Sequence, residues 1–170
     1  AGGFIGRALV DDLVAAAYDV RGLVRRQTEL GANVETRLVS DAAEAAEHHG
    51  LLEDVDVVIH LAARVHQTDE FGEKFIERYV EDNATATRRL AIAAAIAGVD
   101  RLIFISSVKV HSDDGEGPCT EENSTSPEDA YGISKLRAEQ ALAEVRDKTD
   151  LATVILRPPL VYGPGVKANF

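Results

Sequence analysis

The sequence predicts an α/β fold with a doubly wound parallel sheet. Short apolar strands alternate with helical segments along the chain, which is the pattern of repeated strand–helix–strand units. Glycines at positions 3 and 6 lead directly into an amphipathic helix. Ser107 follows an apolar strand, at the edge where open α/β sheets bind their ligands. We therefore expect residues 1–170 to form one ligand-binding domain.

The composition excludes several classes of function. The chain carries 29 acidic and 18 basic side chains in 170 residues, a net charge of −11, whereas general nucleic-acid binding rests on a basic surface. No apolar run is long enough to span a bilayer, and no metal-ligand spacing is present, so we expect neither membrane association nor a metal site. The single cysteine, Cys119, fits a reducing compartment. These features predict a soluble cytoplasmic protein.

The glycine-rich opening predicts a cofactor site. Gly3 and Gly6 flank Phe4 and Ile5 at a helix N-terminus, where free N–H groups and the helix dipole favour a pyrophosphate. A glycine-rich helix start without a ligand would show the same residues. A turn of this kind normally follows the central strand of the sheet, and no strand precedes Ala1. We therefore expect the natural chain to begin upstream, with the first strand missing from this sequence.

Two strands are predicted next, over 19–24 and 34–39. Arg25 and Arg26 follow the first of them, where an acidic residue usually accepts the 2′-hydroxyl of NAD. Two arginines suit the 2′-phosphate of NADP, although solvated loop arginines would look the same. Asp41 begins a short Ala/Glu-rich helix, and it either caps that helix or faces an adenine amino group.

A near-continuous apolar strand is predicted over 55–60, of the kind that parallel sheets bury. It runs into Leu61-Ala62-Ala63, where a flat cofactor could lie against the backbone. A long helix is expected from about 71 to 98. Asparagine adds little to a helix interior, so the amide of Asn83 is expected to bridge a bent backbone or the active-site loop, or to face water.

The chemistry is expected at Ser107, Tyr131 and Lys135. The predicted strand over 101–106 delivers Ser107, while Tyr131 and Lys135 lie one turn apart on a helix and point the same way. A phenol ionises only near pH 10, but a nearby ammonium favours the phenolate and lowers its pKa. The three groups could take a proton from an alcohol whose carbon gives up a hydride.

The remaining elements frame this site. A polar loop over 112–129 is too long to be a simple connection and is expected to overhang the site. The last strand is predicted over 152–156, and a Pro/Gly-rich exit from the sheet follows it.

The sequence resembles the extended short-chain dehydrogenase/reductases, specifically the NAD-dependent epimerase/dehydratase family that acts on nucleotide sugars. The resemblance covers nearly the whole chain. It rests on motifs that occur in the family's order: Gly3-Phe4-Ile5-Gly6, His60-Leu61-Ala62-Ala63, Asn83, Phe104-Ile105-Ser106-Ser107, Tyr131-Gly132-Ile133-Ser134-Lys135, and Arg157-Pro158 with Tyr162-Gly163-Pro164. It implies a Rossmann-type NAD(P)-binding domain. The substrate-binding region would start after about residue 157 and lie mostly beyond Phe170.

The resemblance also implies roles for individual residues. Tyr131 would be the catalytic base or acid, Lys135 would bind the nicotinamide ribose and lower the pKa of the phenol, and Ser107 would be the family's catalytic Ser/Thr. The partners would be a nucleotide-sugar substrate and a second copy of the chain in a homodimer. The cofactor would be NAD or NADP, lined by Gly3, Phe4, Ile5, Gly6, Arg25, Asp41, Leu61, Ala62, Ala63, Asn83, Tyr131, Lys135 and Pro158.

Two departures from the family pattern narrow the function. Family dehydratases carry an Asp-Glu pair directly after the catalytic Ser/Thr, and here Val108-Lys109 stands in its place, so dehydration is not expected. The usual Val-Tyr-Gly element reads Val110-His111-Ser112, which alters one contact in the site. A Ser-Ser-Val-Lys-Val run resembles a subgroup of UDP-hexosamine 4-epimerases and 4-keto-reductases. Lys109 would then either meet the sugar diphosphate or face solvent.

These inferences lead to three hypotheses. The first is an NAD(P)-dependent nucleotide-sugar epimerase that acts by reversible hydride transfer at sugar C4, on substrates of the UDP-glucose or UDP-hexosamine type. The second is an NADPH-dependent reductase of UDP-4-keto sugars. The third belongs to another class, a non-catalytic NAD(P)-binding module that senses redox state.

Overall fold

The computed structural model describes residues 1–41, 44, 49–65, 73–111 and 118–166. The polar loop expected over 112–129 is therefore described only from residue 118 onward. Most of the short helix expected after Asp41 also lies outside the described residues.

Helices and strands alternate along the described chain. A π-helical segment, Val80–Thr85, joins two of the helices, and 3-10 turns lie at His49–Leu51 and Val108–Val110. The predicted strands all form, with bounds that differ from the expected ones by at most two residues at either end. In chain order the elements are α1 (Phe4–Ala15), β1 (Val20–Val24), β2 (Val34–Leu38), β3 (Val57–His60), α2 (Glu73–Tyr79), α3 (Ala86–Ile96), β4 (Arg101–Ile105), α4 (Ala130–Arg146) and β5 (Ala152–Leu156).

The strands form two parallel sheets. β1 pairs with β2, from Val20 opposite Val34 to Val24 opposite Leu38. β4 lies between β3 and β5 in the second sheet. This arrangement confirms an α/β fold with parallel strands. Among the described residues no strand joins β1 to β3, so the parallel strands form two groups, as expected of a doubly wound sheet without its central strand.

Most of the apolar core lies under the second sheet. Leu102 and Phe104 of β4, Ala91 of α3 and Leu142 of α4 are completely buried there. A much smaller cluster packs α1 against β1 and consists of Val10, Val24 and Leu30. Burial of apolar area is the main favourable term in folding, so the β3–β4–β5 layer and its helices supply most of the stability.

The long helix expected from 71 to 98 is not regular. Residues 71 and 72 lie outside the described residues, α2 runs only to Tyr79, and six residues then follow a π-helical path before α3 begins. Single π turns inside helices are often found at functional sites. Among the described residues, no helix is long and apolar enough to cross a membrane.

Candidate active site

Two adjacent serines follow the end of β4 and point to different environments. Ser106 is buried, and its hydroxyl donates a hydrogen bond of 2.5 Å to the Glu139 carboxylate of α4. Ser107 is half-buried, and its hydroxyl lies close enough to the Tyr131 phenol to lower the pKa of that group. Side chains in extended backbone alternate between faces, so one serine holds the strand to α4 while its neighbour is available to the site.

Helix α4 brings Tyr131 to this serine. Asp129 precedes the helix with an extended backbone, and its carboxylate accepts a 2.6 Å hydrogen bond from the Gly132 amide, which is an N-cap. A Cβ atom at Gly132 would lie 2.3 Å from the carbonyl oxygen of Lys109. Glycine therefore lets the first turn of α4 lie directly against the 3-10 turn that follows Ser107, and Tyr131 sits in that first turn.

The pKa of Tyr131 is raised above its ordinary value. Burial is the largest cause, the negative charge of Asp129 adds to it, and the nearby hydroxyl of Ser107 opposes both. From the sequence we expect Lys135 to lower this pKa, whereas in this structure the shift has the opposite sign. At neutral pH the phenol therefore holds its proton.

Lys135 explains that difference. Its Nζ atom donates a 2.5 Å hydrogen bond to the carbonyl of Ile105 and lies 4.0 Å from the centroid of the Phe104 ring. Burial lowers the pKa of this amine to about 8, although Glu139 opposes the shift. The side chain shares a helix face with Tyr131 as predicted, but its charge is directed at the backbone of β4.

Asn83 connects the segment after β3 to helix α4. Its Oδ1 atom accepts from the Arg64 amide at 2.6 Å, while Nδ2 donates to the Arg64 carbonyl at 3.1 Å and to the Ser134 hydroxyl at 2.8 Å. Ser134 in turn donates to the carbonyl of Tyr131 at 2.7 Å. Asn83 therefore bridges a bent backbone and the active-site helix, which was one of the predicted alternatives. Its amide acts on the site through the backbone that it holds.

The opening residues fit a cofactor phosphate. Gly3 occupies the N-cap of α1 and provides no side-chain cap, and the first turn contains no acidic residue. A Cβ atom at Gly3 would meet nothing within 4 Å, so the protein itself leaves this position open. Gly6 is buried, and a Cβ atom there would lie 2.2 Å from the Ala1 carbonyl oxygen. An uncapped helix N-terminus without a nearby carboxylate is a suitable anion site.

The other predicted cofactor residues are spread around this region. Leu61 and Ala63 are half-buried and Ala62 is exposed, directly after β3, while Phe4 is half-buried and Ile5 exposed. Arg25 is exposed after β1. The carbonyl of Pro158 accepts from the Val108 amide, which joins the exit from β5 to the 3-10 turn. Their cofactor contacts remain predictions.

Asp41 has a local role that the sequence predicted. Its carboxylate accepts from the Glu44 amide at 2.8 Å, and the Glu44 carboxylate accepts from the Ser40 amide. This reciprocal pattern is a capping arrangement. Whether Asp41 also meets an adenine stays a prediction.

Sequence reasoning missed a buried polar network behind the serines. Arg157 binds both carboxylate oxygens of Glu139, with Nε–Oε1 3.0 Å and Nη2–Oε2 2.6 Å. Its Nη1 atom lies 3.1 Å from Nε2 of His111. Because a guanidinium only donates, that nitrogen must accept, and the proton of His111 sits on Nδ1, which faces the Ser124 carbonyl at 3.1 Å. His111, at the family's usual tyrosine position, therefore ties the polar loop to α4.

Comparison with known proteins identifies the family of this chain. The model of the NAD dependent epimerase/dehydratase family matches residues 1–170. A UDP-glucose 4-epimerase from Vibrio cholerae is 38% identical over 99% of this chain, which covers 52% of that protein.

Solved structures show the same similarity. A complex of MoeE5 with UDP-glucose and NAD superposes with a TM-score of 0.85 at 30% identity, over 98% of this chain and 54% of that one. The UDP-glucuronic acid 4-epimerase from Bacillus cereus, in complex with NAD, gives 0.79 at 28% identity, over 96% and 56%. The chain thus spans about half the length of the relatives it matches. From its motifs, its parallel strands and these matches, the chain belongs to the NAD dependent epimerase/dehydratase family.

Proposed function

We propose that this chain is the cofactor-binding part of an NAD(P)-dependent nucleotide-sugar epimerase that acts by reversible hydride transfer at sugar C4. The observation that carries the proposal is the closeness of two hydroxyls: Ser107, just after the C-terminal end of β4, acts on the phenol of Tyr131 in the first turn of α4. The uncapped start of α1 belongs to the same domain and fits a dinucleotide phosphate. For an alcohol bound between the two hydroxyls, Tyr131 would exchange the proton and Ser107 would donate a hydrogen bond to the alcohol oxygen.

The chain's own residues supply the acid–base part of the reaction. A nicotinamide, when bound, supplies the acceptor and donor of hydride. Tyr131 would take the proton of the C4 hydroxyl during oxidation and return it during reduction. Ser107 would hold the same substrate oxygen in place. Lys135 would hold the nicotinamide ribose, which is the role that the family resemblance implies.

The raised pKa of Tyr131 bears on the direction of proton transfer. A protonated phenol is ready to donate, which suits reduction of a keto sugar. Oxidation needs the phenolate, and the nearby hydroxyl of Ser107 favours it by lowering the pKa of the phenol. An epimerase uses both steps in one turnover, so its rate should rise with pH until the phenolate is no longer limiting.

Two further observations support a nucleotide-sugar epimerase. The two positions after Ser107 carry no carboxylate, and Lys109 is engaged with Asp129, so the groups expected of a family dehydratase are not at those positions. The relatives named above include a UDP-glucose 4-epimerase and a structure that holds UDP-glucose together with NAD. Arg25 leaves NADP as a possible cofactor, so both dinucleotides belong in the test.

The test is a turnover assay on the full-length protein with a panel of UDP-sugars, with NAD and NADP in parallel. Interconversion of two UDP-sugars without net change in reduced nicotinamide would support the epimerase. Steady consumption of NADPH, only when a 4-keto sugar is supplied, would identify a reductase instead. Cofactor binding without turnover on any substrate would favour the redox-sensing module.

Tyr131→Phe is the matching variant. We expect kcat to fall by roughly 100- to 10,000-fold, the usual range for loss of a general acid–base group, with the Kd for the dinucleotide nearly unchanged. Tyr18→Phe, at a tyrosine that is 65% exposed, is the control and should leave turnover unchanged. Full activity in Tyr131→Phe would remove this residue from the mechanism.

A further inference from the structure

Lys109 and Asp129 form an ion pair next to the two catalytic hydroxyls. The Lys109 Nζ atom lies 2.6 Å from Oδ2 of Asp129. Lys109 belongs to the 3-10 turn that follows Ser107, and its backbone amide donates to the Ser107 hydroxyl at 3.2 Å. Asp129 precedes α4 and accepts from the Gly132 amide through its other oxygen. The pair therefore connects the turn that carries Ser107 to the helix that carries Tyr131.

The backbone at this joint has little freedom. The close approach of the Lys109 carbonyl to Gly132 means that the turn and the first helical turn are in direct contact. The neighbouring Val108 amide is bound to the Pro158 carbonyl. The ion pair thus adds a side-chain contact to a backbone contact that is already close. Because Lys109 binds Oδ2 of Asp129, the Oδ1 atom is left to accept from the Gly132 amide of α4.

The pair also places a positive charge against the carboxylate that acts on Tyr131. Asp129 raises the pKa of that phenol, and the ammonium of Lys109 offsets part of its charge. Lys135, on the same helix, is directed at the Ile105 carbonyl. The charged groups described on the elements packed against α4 include Asp82, which pairs with Arg64, and Glu81, which pairs with Arg89. Arg157 pairs with Glu139 of α4 itself and also meets His111.

We propose that Lys109 and Asp129 are a pair of positioning residues that hold Ser107 against Tyr131 and set the charge around the Tyr131 hydroxyl. The proposal rests on the proposed function of that hydroxyl in proton transfer. It also assigns Lys109 a partner within the chain, where the sequence left a choice between a sugar diphosphate and solvent. An exposed ion pair adds little to stability, so its removal should change catalysis more than folding.

The experiment compares Lys109→Gln, Asp129→Asn and the double variant in the full-length protein. Asparagine also caps helices, so Asp129→Asn removes the charge and keeps the cap. We expect Lys109→Gln to move the rising limb of the kcat–pH profile to higher pH by about half a pH unit and to lower kcat on that limb roughly threefold. Asp129→Asn should move the limb to lower pH, and the double variant, which lacks both charges, should lie between the two single variants. Lys109→Arg should restore the wild-type profile.

Controls separate this proposal from the alternatives. Lys148→Gln removes an exposed lysine just after the end of α4 and should change nothing. If Lys109→Gln raises KM for the UDP-sugar while the pH profile stays fixed, Lys109 contacts the diphosphate and the proposal is overturned. An unchanged profile with unchanged KM overturns it as well.

A second readout does not depend on turnover. In protein labelled with ¹³C at Cζ of tyrosine, the Tyr131 resonance is assigned by its loss in Tyr131→Phe. Its ionised fraction at the highest pH at which the protein stays folded should be lower in Lys109→Gln and higher in Asp129→Asn. If these fractions do not move, the proposal fails. If they move while every UDP-sugar assay is silent, the pair stands and the proposed function fails.

Discussion

His60 ends β3, where its ring stacks on Phe104 with centroids 5.5 Å apart and its Nε2 atom lies 3.0 Å from the Thr87 hydroxyl. Thr87 already donates to the Asn83 carbonyl at 2.5 Å, so its oxygen must accept from His60. The Nε2 atom of the imidazole therefore carries a proton. Burial first, and then the charge of Lys135, lower the pKa of His60 from 6.5 to about 3.

This residue should make stability sensitive to acid. Because the folded pKa lies below the unfolded one, the unfolded chain binds more protons between about pH 3 and 6.5, and stability is lost as the pH falls through that window. Between pH 7 and pH 5 the loss from His60 should be about 2 kcal/mol. We expect His60→Phe to remove that part of the acid sensitivity.

The measurement is urea denaturation of cofactor-free wild type and His60→Phe at the two pH values. For each protein, the free energy of unfolding at pH 5 is subtracted from that at pH 7, and these two differences are compared. A change in absolute stability caused by repacking around Phe therefore cancels. Equal losses in both proteins would contradict a neutral, strongly perturbed His60.

At the scale of single elements, the start of α1 shows two glycines with different constraints. Gly6 leaves no space for a Cβ atom because the Ala1 backbone lies against it, whereas Gly3 faces open space. The first is required by the fold of the protein alone. The second is needed only if something outside the protein comes close to the backbone there.

Two alanine variants separate these roles. We expect Gly6→Ala to lower Tm and to weaken dinucleotide binding together, since the opening loop must move. Gly3→Ala should leave Tm of the cofactor-free protein unchanged and still weaken binding at least several-fold, because the methyl group would stand between a phosphate and the N-terminus of α1. Calorimetric titration with NAD and thermal unfolding check both. Unchanged affinity in Gly3→Ala would place the phosphate elsewhere.

The elements also show what sequence alone could and could not provide. The strands and α4 follow from local apolar patterns, and an aspartate directly before a helix, here Asp129, is a local N-cap signal. The π-helical segment could not be predicted from the local sequence. Its Asn83 side chain bonds to Arg64 and to Ser134, which are separated from it by 19 and 51 positions in the chain. In the buried polar network, Ser106 lies 33 positions from Glu139, and Arg157 lies 18 positions from it. No local sequence pattern indicates that these residues bind one another.

On the scale of the whole molecule, the two sheets have unequal support. The β3–β4–β5 sheet has the large core, while β1 and β2 depend on a few residues around α1. Arg21 is one of the links between them, since its Nη1 atom donates to the carbonyls of Leu51 and Glu53 at 3.0 and 2.8 Å. Local opening should therefore begin in the β1–β2 part.

Hydrogen exchange measured by mass spectrometry on the full-length, cofactor-free protein tests this order. Amides of β4 should be the most protected, since Leu102 and Phe104 are completely buried, and amides of β1 and β2 should exchange earlier. Arg21→Met should speed exchange in β1 and β2 while leaving β4 unchanged. Equal protection of the two sheets would mean that they open as one unit.

The π-helical segment has a consequence for how the gene can vary in length. A π turn holds one residue more than an α turn, so loss of a single codon between positions 80 and 85 would return this stretch to the regular repeat. Each residue advances an α-helix by about 100°, and the residues on one side of the deletion would rotate by that amount against those on the other. Asn83 would then point away from either Arg64 or Ser134. Selection should therefore preserve the number of residues in this helix as strictly as their identity.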